Sequence, residues 1–290
     1  MFKGSIVALV TPFLDGKIDE AKLAELVEFH VEHGTSAIVS CGTTGESATM
    51  SHEEDIFVTE FVVKRANKRI PVIAGTGSNS TREAILLTDA AKRNGADAAL
   101  VVTPYYNKPT QEGMYQHYKT IAENIDIPII IYNVPGRTGV AIYPETVARL
   151  STIPGIVAIK EASGTVDAAS QILKELPAFN VLSGDDGLTL PMMSLGAQGV
   201  ISVAANIVPQ KIADMCNMAL NGDYAGARKV HFECFDLFKA LFYETNPIPV
   251  KAAMNLMGIM SDELRLPLCR IGQDAKAKLA KTLKELGLIQ

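Results

Sequence analysis

The 290-residue chain sets 27 Lys and Arg against 32 Asp and Glu, a formal net charge of −5, with 48% apolar and 20% charged residues. The acidic balance excludes a nucleic-acid surface, which would show clustered lysine and arginine. No apolar run reaches the ~20 residues that a membrane-crossing helix needs, while the apolar fraction supports a sizeable core.

The first apolar run, SIVALV from Ser5, reads as a buried strand. No long apolar stretch and small-residue cleavage site accompany it, so no signal peptide is expected. In DEAKLAELVEFHVEHG the residues Leu23, Leu26, Val27, His30 and Val31 share one helical face, and Gly34 ends it. On that stripe His30 reads as a packed core histidine rather than a ligand. A second strand, SAIVSCG from Ser36, runs into GTTGES, and the next helix opens with Ser51 and Glu54 at capping-box spacing. Strands follow from Pro71 (PVIAGT), Ala98 (AALVVTP), Pro128 (PIIIYNV), Ile156 (IVAIKEA), Phe179 (FNVLSGDD) and Gly199 (GVISVAA), with helical patterns such as STREAILLTDAAKRNG and TQEGMYQHYKTIAEN between them. After about Asn221 the pattern is helical only. The four cysteines, Cys41, Cys216, Cys234 and Cys269, form no C-x-x-C pair, which points to reduced thiols in a cytosolic protein and to no metal or redox motif.

Strands apolar at nearly every residue belong to a parallel sheet covered on both faces. Eight of them alternating with helices, roughly 20 to 35 residues apart, predict an α/β fold of the (β/α)8 TIM-barrel type. The absence of a G-x-G-x-x-G turn after the first strand weakens the dinucleotide-binding alternative. The expected organisation is a catalytic barrel over 1–224 and a C-terminal helical domain over 225–290.

Chemistry in such a barrel sits at the carboxyl ends of the strands. Those ends read GTTGES, GTGSN, TPYYNKP, YNVPGRTG, KEASG and SGDDG, so hydroxyls, glycines and a few charges converge there. The anomaly is Lys160, an ammonium at the end of an apolar strand, with the parity of Ile156 and Ala158 and with Tyr132 near the end of the neighbouring strand. It either leans out to water on its stem or points inward, where an amine loses its proton more readily and attacks a ketone to form a Schiff base. The segment alone does not separate these readings; the converging hydroxyls, suited to moving protons, favour the second. GTTGES is either an ordinary strand-to-helix turn, with Ser47 or Ser51 as a cap, or a nest for a carboxylate. Arg137 is either a loop arginine or a bidentate carboxylate clamp.

Together GTTGES, TPYYNKP, YNVPGRTG, the KEASG strand and NPIPVK (246–251), in this order and spacing over effectively the whole chain, resemble the dihydrodipicolinate synthase family of pyruvate-dependent class I aldolases. The resemblance implies that Lys160 forms the Schiff base with pyruvate. It implies that Tyr132 shuttles protons, and that Thr43 links it to Tyr106, which reaches across a subunit interface. Thr44 would hold the pyruvate carboxylate and Arg137 the carboxylate of L-aspartate 4-semialdehyde, with Gly184 and Ile201 lining the pocket. Neither metal nor organic cofactor is implied. The implied assembly is a homotetramer, a dimer of dimers, and the implied reaction opens diaminopimelate and lysine synthesis in the cytoplasm. Ser47, Ala48, His52, Asn79, Glu83 and Tyr105 match a cleft where relatives bind inhibitory L-lysine. Asp55 departs from the histidine or glutamate common there, and its shorter reach puts feedback inhibition in doubt. The rivals within the fold are N-acetylneuraminate lyase and the keto-deoxy sugar acid aldolases; a non-turnover keto-acid or lysine sensor would lack Lys160, Tyr132 or Tyr106, all of which are present.

Overall fold

The computed structural model describes residues 2–290. Eight parallel strands close into a barrel: β1 (Gly4–Ala8), β2 (Ala37–Ser40), β3 (Val72–Gly75), β4 (Ala98–Val102), β5 (Ile129–Asn133), β6 (Ile156–Glu161), β7 (Asn180–Ser183) and β8 (Gly199–Ser202). Each pairs with its sequence neighbours, and β8 returns to β1 through Gly4 opposite Gly199. An alanine methyl at Gly199 would lie 2.1 Å from the Gly4 carbonyl oxygen, so the seam closes only around a bare backbone.

Alternation along the strands builds two apolar layers. Ile6, Ala8, Val39, Ile73, Leu100, Ile130, Ala158, Leu182 and Ile201 fill the interior. Ala99, Val101, Ile129, Ile131, Ile159 and Val181 face the surrounding helices, meeting Met114, Tyr118 and Ile121. The helix His52–Ala66 starts with the reciprocal bonds expected of its sequence: Glu54 N–H donates to Ser51 Oγ, and Ser51 N–H to Glu54 Oε2. His30 is fully buried with Nδ1 3.0 Å from Thr35 Oγ1, and burial pushes its pKa down to about 3, so it is a neutral packing residue.

In one respect the strand pattern differs from simple alternation. Ile129 pairs with Ile156 but Ile130 with Ala158, leaving Val157 as an extra residue on β6. This bulge puts Ile156 in the outer layer while Ala158 stays inside. Lys160 therefore shares its face with Ala158 but not with Ile156.

Three helices, Tyr224–Ala240, Ile248–Leu256 and Gln273–Glu285, follow the last βα unit. Leu237, Val250, Met254 and Leu279 from them share one buried cluster with Val7, Ile38 and Ile212 of the barrel. The connection Leu241–Pro247 brings Phe242 and Asn246 to the carboxyl ends of the strands.

Candidate active site

Lys160 and Tyr132 are directly paired in register on β6 and β5. Pairing in register puts both side chains on the inner face, and Lys160 Nζ lies 4.2 Å from the centroid of the Tyr132 ring. Lys160 as a residue is 6% exposed, so its side chain does not lean out into bulk water. Its neighbour Glu161 points the other way, accepting hydrogen bonds from Asn133 Nδ2 at 2.8 Å and Ser163 N–H at 2.6 Å. The stem of Lys160 needs room that Gly184 supplies: a Cβ there would come within 2.9 Å of Lys160 Cε and 2.6 Å of Ala162 Cβ.

A cavity of about 130 Å³ opens above the amine, with Thr43, Thr44, Tyr132, Arg137, Gly184 and Asn246 in its wall. Arg137 stands on a one-turn helix, Pro135–Thr138, and its Nη2 donates to the Asn246 carbonyl oxygen at 3.2 Å. Thr44 is buried and accepts a hydrogen bond from Asn246 Nδ2 at 3.0 Å. An amine, a phenol, two threonine hydroxyls and a guanidinium thus face one small space. That set has the nucleophile, proton carriers and anion clamp that imine chemistry on a keto acid requires.

Not every residue singled out in the sequence joins this space. Ile201 lies in the barrel interior, and Val203, two residues on, lines the cavity instead. Tyr106 is 90% exposed, held at a left-handed φ of 72° that a tyrosine rarely adopts, and stands outside the cavity of its own chain.

A larger cleft of about 620 Å³ adjoins it, sharing Thr43, Tyr132, Arg137 and Asn246. Ser47, Ala48, His52, Glu83 and Tyr105 line it, and His52 Nε2 meets Glu83 Oε1 at 3.2 Å. Asn79 is not in the lining; its carbonyl accepts from Asn107 Nδ2. Asp55 is in the wall, with Oδ1 buried and unpartnered, and desolvation pushes its carboxyl up to about 7.

The GTTGES loop is held by residues far from it in the chain. Glu46, inside that loop at φ 57°, is buried against Lys251, whose Nζ lies 2.6 Å from Glu46 Oε1 and 3.0 Å from the Thr11 carbonyl. Arg265 N–H donates to the other Glu46 oxygen, and the Arg265 guanidinium forks onto Glu54 at 2.6 and 2.7 Å. Burial pushes the Lys251 ammonium down from the usual lysine range, and the Glu46 carboxylate opposes that. The NPIPVK segment supplies both Asn246 and Lys251.

The same architecture recurs in known proteins. The model of the dihydrodipicolinate synthetase family matches residues 1–286. The 4-hydroxy-tetrahydrodipicolinate synthase of Geobacter sulfurreducens is 57% identical over 290 residues, covering 100% of both chains. A crystal structure of the chloride-inhibited dihydrodipicolinate synthase from Acinetobacter baumannii complexed with pyruvate superposes with a TM-score of 0.98 at 51% identity, covering 100% of both chains. The lysine-bound enzyme of Cyanidioschyzon merolae superposes at 0.96 with 42% identity over 99% of each. With a full-length match, the same closed barrel and a buried lysine facing a polar cavity at its mouth, this chain belongs to the dihydrodipicolinate synthetase family.

Proposed function

We propose that the Lys160 cavity carries the 4-hydroxy-tetrahydrodipicolinate synthase reaction, the lysine-dependent lyase chemistry that condenses pyruvate with L-aspartate 4-semialdehyde in diaminopimelate and lysine synthesis. One observation carries this reading: the amine is buried at a strand end, beside the Tyr132 ring and open to a cavity edged with hydroxyls.

Lys160 attacks the pyruvate carbonyl, water leaves, and the protonated imine withdraws electrons so that the methyl carbon loses a proton to give an enamine. Tyr132 and Thr43 stand where those protons must pass. Thr44 holds the keto-acid carboxylate. The enamine carbon then attacks the aldehyde while Arg137 clamps the carboxylate of the second substrate. The amine of the adduct displaces Lys160 from the imine carbon, closing the ring and freeing the enzyme. Residues 1–224 form the catalytic barrel, and the helical domain 225–290 braces its mouth.

The fold leaves Tyr106 extended into solvent on strained backbone, which supports its insertion into the site of a second copy. The assembly proposed is a homotetramer, a pair of such dimers. The cleft beside His52 and Glu83, which adjoins the cavity, suits an amino acid such as L-lysine as inhibitor. Among the described residues no helix is long and apolar enough to cross a membrane; the cytoplasmic location is part of this proposal and rests on the biosynthetic role.

Borohydride reduction in the presence of pyruvate tests the core of this reading: one stable adduct forms, and it maps to Lys160. An adduct on another lysine overturns the assignment. Turnover of pyruvate with aspartate semialdehyde against N-acetylmannosamine, each with and without lysine, fixes the aldehyde and the inhibitor. Mixing Tyr106→Phe with Lys160→Ala subunits restores activity in mixed oligomers if sites are shared.

A further inference from the structure

Of the two aspartates in SGDDG, at the carboxyl end of β7, one is spent on the fold and the other is not. Asp186 is buried and takes three donors, the Ser202 hydroxyl and the Val203 and Ala204 N–H groups. Asp185 is half-buried and borders the Lys160 cavity. Its Oδ1 accepts the Gly187 and Leu188 N–H groups at 2.8 and 3.2 Å, closing a turn of its own. Its Oδ2 has no partner among the described residues, yet it is not one of the enclosed side-chain atoms that lack a partner, so it is open. The main chain is fixed as well: Asp185 N–H donates to Ser183 Oγ, and the Asp185 carbonyl accepts from the Thr189 hydroxyl. With one oxygen anchored on backbone and the other open, Asp185 is a pre-set acceptor rather than a loose side chain.

Three charged side chains border the cavity, Arg137, Lys160 and Asp185, so Asp185 is its only acid. It belongs to none of the ion pairs among the described residues, and neither cation of the cavity neutralises it. In the reaction proposed above the cavity receives two carboxylates, one from each substrate, and an unpaired carboxylate in its wall repels both. Such a wall works against a ligand that is anionic throughout and favours one that brings a cation. Of the two substrates only the aldehyde does so, through its α-ammonium. An ammonium only donates hydrogen bonds, and the open oxygen of Asp185 is the one acidic acceptor in the lining.

We propose that Asp185 Oδ2 accepts a hydrogen bond from the α-ammonium of the aldehyde substrate, so that Asp185 selects an α-amino-acid aldehyde over one that lacks the amine. This rests on the reaction proposed above. Gly184, the residue before Asp185, lies against the Lys160 stem. A nitrogen held on this side of the cavity is therefore placed near the imine carbon that it later attacks, before the carbon–carbon bond forms.

The test mixes the pyruvate-loaded enzyme with aspartate semialdehyde or with its des-amino analogue, succinic semialdehyde, and follows the loss of the borohydride-trapped pyruvyl adduct in a single turnover. That loss reads carbon–carbon bond formation, a step that does not need the amine. The native protein consumes the adduct faster with the amine-bearing aldehyde. In Asp185→Asn the amide oxygen keeps the turn at Gly187 and the NH2 group replaces the open acceptor, so that preference falls roughly 10- to 100-fold, the scale of one hydrogen bond to a charged group. A native protein without the preference, or a preference unchanged in Asp185→Asn, overturns the proposal; an equal slowing with both aldehydes makes Asp185 a partner of the imine instead. If the native protein reacts with neither aldehyde, the underlying reading of the site falls rather than this assignment. Trapping of pyruvate on Lys160 verifies that the variant is folded, and Asp185→Ser, whose hydroxyl can also close the turn, replaces Asp185→Asn if it is not.

Discussion

Two lysines are buried among the described residues, and they occupy opposite chemical situations. Lys251, on a C-terminal helix, is wholly enclosed, with Glu46 and the Thr11 carbonyl on its ammonium and the Phe13 ring 4.4 Å away. Lys160, on a barrel strand, forms none of the ion pairs found among the described residues. It has an aromatic ring on one side and open volume on the other. Burial by itself does not make a nucleophile. A paired lysine is an internal strut, its lone pair committed to a proton that the carboxylate holds in place. An unpaired one beside a cavity is available to a carbonyl. The strut also serves the reactive site, because Glu46 lies in the loop that carries Thr43 and Thr44.

The contrast can be broken at either lysine. Lys160→Ala should remove the pyruvate adduct and lower turnover by something on the order of 10⁴-fold or more, with the unfolding midpoint little changed; mass spectrometry after borohydride and a thermal melt read the two effects. Persisting adduct would mean that another amine does the work. Tyr132→Phe removes a proton carrier but keeps the ring against Lys160, so turnover should fall about 10²- to 10⁴-fold. Single-turnover kinetics should place that loss in imine formation and breakdown. Lys251→Met leaves the Glu46 carboxylate buried without its ion-pair partner and with only the Arg265 N–H on it, a cost of about 3–5 kcal/mol measurable by denaturant titration, yet borohydride should still find Lys160 in whatever fraction is folded. Adding Glu46→Gln to Lys251→Met should recover part of that loss, which separates the penalty of an orphaned charge from the worth of the pair.

The smallest effect concerns Asp55, a buried carboxylate that, unlike Glu46, has no cation. Its pKa rises from 3.8 to about 7 on folding. Between those values the folded chain binds a proton that the unfolded chain has released, so this residue's contribution to stability falls as pH rises through that window. Asp55→Asn should flatten that dependence, while stability curves that still coincide in shape from pH 4 to pH 7 would show the carboxyl to be better solvated than its position implies.

Much of this was legible in one dimension. The strand at Ile129 was readable because PIIIYNV is apolar on both faces, and the helix at His52 because its cap residues lie three apart. Lys160 stood out because an ammonium interrupts such a run. Contacts with no local signature are not legible there. Glu46 with Lys251 and Thr44 with Asn246 join residues more than 200 positions apart, and periodicity carries no information about such pairs. The bulge at Val157 was hidden too, since a valine in a β-rich run looks the same paired or unpaired. Tyr105 and Tyr106 are told apart in the sequence by the resemblance alone; the structure places the first in the lining of the cleft and the second in solvent.

The bare backbone at Gly184 has a consequence for how this scaffold can change its trade. Because the lysine stem occupies the volume a methyl group would need, that wall of the pocket cannot acquire a new side chain without dislodging the amine. A change in the shape of this pocket has to come from other lining positions, such as 43, 44 or 137. At position 184 the amine and any new side chain exclude each other.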